Sequence, residues 1–175
     1  GFGLSYTTFR VETTDICTAA DGGVTVQAAV TNTGAAAGRE VVQVYVGLPD
    51  GRLEKEARRL VAFGKTALLQ PGEMQTLALT FGPEQLESYD EDSSAWILEQ
   101  GLYGIYVGTS LQESTLRAGL QLTQDKVLAR TQAICPLQQE LKVLSLPAEK
   151  RAARYAAMRA EAAKVTVLPY DLSAV

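Results

Sequence analysis

The chain has 175 residues, 46% hydrophobic and 21% charged, with a net charge of −4. That supplies enough apolar material for a packed core, and the length suits one domain with an appended segment. It has no histidine and only two cysteines, Cys17 and Cys135. This excludes Ser-His-Asp and Cys-His catalysis, imidazole-ligated metals, a four-thiolate zinc site and a disulfide-dense scaffold.

The charge is unevenly spread. Residues 1–125 hold 8 Lys and Arg against 16 Asp and Glu, whereas residues 126–175 hold 8 against 4. Two segments with different surroundings are expected. The basic portion lacks aromatic interleaving and a Gly-rich clamp, so no nucleic acid is expected; its better partner is solvent or an acidic neighbouring domain. No apolar run reaches the ~18 residues of a membrane span, and no secretory signal is visible. The opening Gly1-Phe2-Gly3 lacks an initiator methionine, so the segment is expected to be excised from a longer protein, cytoplasmic or secreted.

In chain order, Leu4–Val11 is rich in Thr and aromatics, as a half-buried strand should be. Asp21-Gly22-Gly23 makes a turn before Val24–Val30, where Val24, Val26, Ala28 and Val30 alternate onto one face. Asn32-Thr33-Gly34 closes that strand. Glu40–Val46 alternates again, with Val41, Gln43 and Tyr45 opposite Val42, Val44 and Val46, and reads as a strand covered on both faces. Pro49-Asp50-Gly51 is a turn leading into a charged stretch from Arg52 to Arg59.

Leu60–Thr66 and Met74–Phe81 are strands around the turn Gln70-Pro71-Gly72-Glu73, and Pro83–Leu86 suits one helical turn. Ala95–Leu98, Leu102–Val107 and Leu116–Leu122 complete a series of short strands spaced by turns, the pattern of a β-sandwich. From Lys126 the character changes. Pro136 and Pro147 bound a mixed stretch, and Ala148–Lys164, with eight alanines and five basic residues, predicts a helix. Its stripe of Ala152, Tyr155, Met158, Ala162 and Val165 is narrow, which suits packing on a neighbour. Tyr170–Val175 reads as a linker.

Chemistry is sparse. Glu87, Asp90, Glu91, Asp92 and Glu99 lie close together, but adjacent carboxylates on a loop stay ionised and make poor general acids, so a solvated loop is expected. Asp90, Asp92 and Ser94 alternate as calcium ligands would, yet an EF-hand's Gly and Glu are replaced by Ala95 and Gly101. Gly101, Gly104 and Gly108 lack the following helix of a phosphate cradle. Cys17 and Cys135 are expected as separate thiols. Trp96, the only tryptophan, is expected to be a buried anchor, with a sugar-stacking platform as the alternative. No residue qualifies as catalytic, and no cofactor or metal is expected.

Several motifs then occur in a telling order: Gly1-Phe2-Gly3-Leu4-Ser5-Tyr6-Thr7-Thr8-Phe9, Val30-Thr31-Asn32-Thr33-Gly34 and Gly38-Arg39-Glu40-Val41-Val42-Gln43-Val44-Tyr45-Val46. Arg59-Leu60-Val61-Ala62-Phe63-Gly64-Lys65-Thr66, Leu69-Gln70-Pro71-Gly72-Glu73, Trp96, Gly101-Leu102-Tyr103 and Val107-Gly108-Thr109-Ser110 follow. Over residues 1–122 this resembles the fibronectin type III-like domain of glycoside hydrolase family 3, the β-glucosidase family. The resemblance implies a seven-stranded immunoglobulin-like sandwich with Tyr45, Phe63, Trp96 and Tyr103 in its core. The family's nucleophilic aspartate and general acid lie in other domains, and nothing here matches their motifs.

The expected fold is thus an all-β, fibronectin type III-like sandwich over residues 1–125 with a C-terminal helical extension. Residues 126–175 would be a connector carrying the basic helix near 148–164, as in family members with permuted domain order. The implied role is non-catalytic: bracing the catalytic domains of the parent chain, with substrate contact at most peripheral. Arg58 and Arg59 are the candidates for contact with carboxylates of a neighbouring domain. The alternative is a free-standing carbohydrate-binding or adhesion module using Trp96, Tyr103 and Tyr106 if they face outward.

Overall fold

The computed structural model describes residues 5–132, 134, 138–139 and 145–175. Strands β1 (Phe9–Thr18), β2 (Val24–Asn32) and β5 (Met74–Phe81) form one antiparallel sheet in the order β1-β2-β5. The facing sheet runs β11-β9-β8-β3-β4, from β3 (Val41–Gly47), β4 (Arg58–Lys65), β8 (Gly101–Gly108), β9 (Thr115–Leu122) and β11 (Thr166–Pro169). The seven expected sandwich strands are therefore present. The eighth, β11, comes from the C-terminal segment and pairs in parallel with β9, Thr166 opposite Ala118 and Pro169 opposite Gln121. A third small sheet, β10-β7-β6, combines β6 (Ser88–Asp90), β7 (Ala95–Leu98) and β10 (Lys126–Arg130).

Alternation sets the inter-sheet core. Val24, Val26, Ala28 and Val30 of β2 face Val42, Val44 and Val46 of β3, and all seven are fully buried. Each buried valine side chain contributes roughly 1.5–3 kcal/mol relative to exposure. Ile105 and Leu120 extend this layer, and Tyr103 is its largest fully buried side chain. The Tyr103 hydroxyl donates to the Glu99 carbonyl at 2.7 Å, and burial pushes it above the ordinary phenol range.

Asn32 ends β2 inside this apolar surround, fully buried. Its amide nitrogen donates to the carbonyls of Ala36 and Leu69, both at 2.8 Å. Its oxygen accepts from the Thr7 hydroxyl at 2.8 Å and the Gly34 amide at 3.1 Å. One side chain so ties the segment before β1, the turn after β2 and the β4–β5 connection.

Helix α1 (Ala148–Ala162) lies on the outer face of β8 and β9. Met158 and Ala162 are its buried residues, and the Leu102 amide donates to the Tyr155 hydroxyl at 2.9 Å. The helix comes this close because Gly104 has no side chain: a Cβ there would stand 2.9 Å from the Met158 sulfur. Tyr170–Val175, expected as a linker, is built into the fold instead. Tyr170 and Leu172 are buried in the core, and the Tyr170 hydroxyl donates to the Gly22 carbonyl at 2.8 Å. An aromatic and a leucine spaced two apart after a strand keep facing the same interior. Cys135, the proposed status of its thiol and much of the 133–144 stretch lie outside the described residues; Cys17 is exposed on β1.

Candidate functional site

The charged stretch between β3 and β4 is held by side chains from three directions. Glu99, just after β7, points its carboxylate into the loop and accepts from the Arg52 amide at 2.7 Å and the Leu53 amide at 3.2 Å. Lys55 reaches the same carboxylate, and both side chains are buried, with 6% and 8% of their surface exposed. Gly51 permits this approach, since a Cβ there would sit 2.5 Å from a Glu99 oxygen. A buried pair of this kind is tolerable because the carboxylate's remaining lone pairs are met by backbone amides.

On the β6 side, the Arg52 guanidinium binds Asp90 through two bonds of 3.0 and 2.6 Å. The Ser93 hydroxyl also donates to Asp90. With Arg52 the larger cause and Ser93 the next, the Asp90 carboxyl is lowered from 3.8 to about 2. On the helix side, Arg154 donates to the Lys55 carbonyl at 3.1 Å, and Arg151 lies 3.7 Å from Asp50 and 3.9 Å from Glu54. The basic C-terminal segment thus finds acidic partners on the sandwich's own loop.

The solvated loop expected for the acidic cluster is consequently corrected for Asp90 and Glu99, which are buried in ion pairs. Asp92 remains solvated, 3.4 Å from Arg52. Among the described residues, no group of three or more Cys, Asp or Glu side chains is placed to hold a metal ion. No helix among them is long and apolar enough to cross a membrane.

Arg58 and Arg59 open β4 and, by alternation, serve opposite sides of it. The Arg58 guanidinium lies 3.6 Å above the Tyr106 ring and donates to the Leu111 carbonyl and the Ser114 hydroxyl. Arg59 pairs with Glu56 and donates to the Gln85 and Glu87 carbonyls at 3.2 and 2.6 Å. Both cations are engaged within the chain. From the sequence, Glu99 belongs to a solvated acidic cluster and Arg52 and Lys55 to a charged stretch, with nothing to pair them; the available signal is a single carboxylate directly after the apolar run Ala95–Leu98.

The aromatic residues also need correction. Of the four expected in the core, only Tyr103 is there; Phe63 is 69% exposed and Trp96 38% exposed, while Tyr45 is half-buried. Tyr103 faces the core, whereas Tyr106 stands opposite Tyr45 on the outer face and is buried there beneath Arg58 and α1. Phe63 pairs with Gln43 and Leu60 with Tyr45, so both stand on the outer face of the five-stranded sheet. Helix α1 covers the β8–β9 half of that face and leaves the β4 half bare.

An antiparallel sheet and a mixed sheet packed around a valine core, with a loop cemented by charges and no catalytic group assembled among the described residues, define an immunoglobulin-type structural module. Residues 40–111 match the family model of the fibronectin type III-like domain. A β-glucosidase of Ruminococcus albus is 38% identical over 143 residues, covering 78% of this chain and 15% of the relative. β-Glucosidase A of Butyrivibrio fibrisolvens is 38% identical over 134 residues, covering 66% and 16%. The crystal structure of a β-glucosidase from Paenibacillus barengoltzii superimposes with a TM-score of 0.72 at 36% identity, covering 75% of this chain and 16% of that one. The chain matches the fibronectin type III-like region of glycoside hydrolase family 3 β-glucosidases. It spans about 15% of the length of the curated relatives it matches.

Proposed function

We propose that the segment is a non-catalytic accessory domain of a β-glucosidase-type hydrolase, bracing the catalytic domains of its parent chain. The observation carrying this reading is the bare β4 half of the outer face, where Phe63 and Leu60 are 69% and 47% exposed beside a loop fixed by buried charges. A lone exposed leucine means little, but two large apolar side chains facing out from one strand suit a covering partner. Arg58 and Arg59 shape that contact by anchoring the start of β4, and the loop rim formed with Glu54 and Asp92 borders the substrate entrance.

Residues 126–175 act in this reading as a connector that is fastened back onto the sandwich before the chain continues. The similarity to β-glucosidases supports a β-glucoside, processed by the neighbouring domains, as the substrate class.

The test has two arms. The purified 175-residue chain should release no aryl alcohol from aryl β-glucosides, and measurable turnover refutes the accessory role. In the parent enzyme, Phe63→Asp should separate one cooperative calorimetric transition into two and lower turnover. An unchanged single transition removes the β4 face as the bracing surface.

A further inference from the structure

We propose that the outer face of the β6–β7–β10 sheet is a subsite for a β-linked glucan chain, with Trp96 as its stacking surface. Tyr89 and Trp96 are directly opposed in the β6–β7 pairing. Their ring centroids lie 5.1 Å apart with planes inclined by 57°. The two rings therefore form an angled cradle instead of covering one another, and 36% and 38% of these residues stays exposed. The Tyr89 hydroxyl is fixed by Thr131 Oγ1 at 3.1 Å, so the cradle is set before any ligand arrives.

From Trp96 a shallow groove of about 590 Å³ runs toward the turn Pro83–Gln85, with Glu84, Glu87 and Arg59 in its walls. Arg59 is locked by the Gln85 and Glu87 carbonyls and by Glu56, which makes this wall rigid. Partial burial and the nearby Glu84 hold the Glu87 carboxyl above its usual range.

An exposed indole face beside acceptor carboxylates selects a ligand that is apolar on its flat faces and rich in hydroxyl donors at its edges. A glucan chain with equatorial substituents has that character. Nucleic acid does not, because its phosphates would meet Glu54, Glu56, Glu84 and Glu87 in the groove. The choice of a β-linked chain rests on the accessory-domain reading, since such chains accompany a β-glucosidase-type activity.

Trp96 is the only tryptophan, so its fluorescence reports this site alone. The 175-residue chain is titrated with cellohexaose and, separately, run through native gels containing soluble mixed-linkage β-glucan or dextran. The expected result is a saturable change in tryptophan emission and retardation by β-glucan but not by dextran. Trp96→Ala and Tyr89→Ala should each weaken retardation by at least about tenfold, about 1.4 kcal/mol, while Tyr89→Phe retains it. Circular dichroism shows which variants are folded, and either alanine variant suffices if the other is not. No retardation of the unsubstituted chain, equal retardation by dextran, or retention in a folded alanine variant overturns the subsite. Phe63→Asp should leave retardation unchanged; loss there places the glucan on the β4 face and also overturns it. Failure of the bracing test with glucan retention intact defeats only the accessory-domain reading.

Discussion

The inter-sheet core and the corner where the β3–β4 loop meets α1 hold this chain together by opposite means. In the core, interdigitated valines from β2 and β3 carry the packing, and the polar groups among them, the Asn32 amide and the Tyr103 and Tyr170 hydroxyls, are hydrogen-bonded. At the corner, a loop without regular structure is fixed by Lys55–Glu99, Arg52–Asp90 and Arg154 on a backbone carbonyl. Apolar packing is non-directional and tolerates small changes of volume. Buried charge is directional, and its removal from one side leaves the other side stranded. The corner is therefore the more fragile region despite burying less, and the basic C-terminal segment contributes to it directly.

Removing one buried charge from the corner should have the largest effect. Glu99→Ala leaves the Lys55 ammonium buried and two loop amides unpaired, and should cost about 3–5 kcal/mol by urea denaturation. Lys55→Met added to Glu99→Leu should recover much of that loss, because an apolar pair has no charge to desolvate. A loss below about 1 kcal/mol for Glu99→Ala would mean that Lys55 swings out to water, making this corner a surface ion pair. In the core, Asn32→Ala should cost about 2–3 kcal/mol, since the Thr7 hydroxyl and the Ala36 and Leu69 carbonyls lose partners. A neutral Asn32→Ala would show water filling the gap.

The same contrast explains what could be read from the sequence. The valine alternation of β2 and β3 reports directly which face is buried, and turn dipeptides bound the strands. Short strands apolar on both faces carry no such information: in Ala95–Leu98, three of the four residues are buried and Trp96 is the one left half-exposed. In β4, Phe63 pairs with Gln43 and so faces outward, and a bulge that pairs Tyr45 with Leu60 after Val44 with Ala62 turns Leu60 outward as well, an irregularity the residue order does not show. Long-range ion pairs are harder still. Glu99 and Lys55 are 44 positions apart, and each alone looks like a surface charge. The charge split near residue 125 was visible, but its partner proved to be internal.

A smaller effect sharpens the role of α1. Tyr155→Phe removes the acceptor for the Leu102 amide while keeping the ring, and should cost about 1 kcal/mol. Hydrogen exchange at Leu102 should speed up with little change at Ile105 in the core. Equal acceleration at both would make the helix part of the core's cooperative unit rather than an attached layer.

The smallest effect belongs to Arg52–Asp90, because the Arg52 side chain is 54% exposed and the pair is screened by salt. The Asp90 carboxyl is depressed from 3.8 to about 2 in the folded chain. The folded state therefore binds this proton less readily than the unfolded state, and Asp90 adds stability that is fully present above about pH 4–5 and is lost as pH falls through about 4 toward 2. Urea titrations across that window should show a fall in stability that is shallower in Asp90→Asn, with the difference between the two chains shrinking toward pH 2. Added salt should narrow the difference at pH 5 for this pair more than it alters the loss caused by Glu99→Ala, whose charges are shielded from ions by burial. Equal salt sensitivity at both sites would mean that the loop is held by solvated charges throughout, and the contrast between a directional corner and an apolar core would reduce to a difference in exposure.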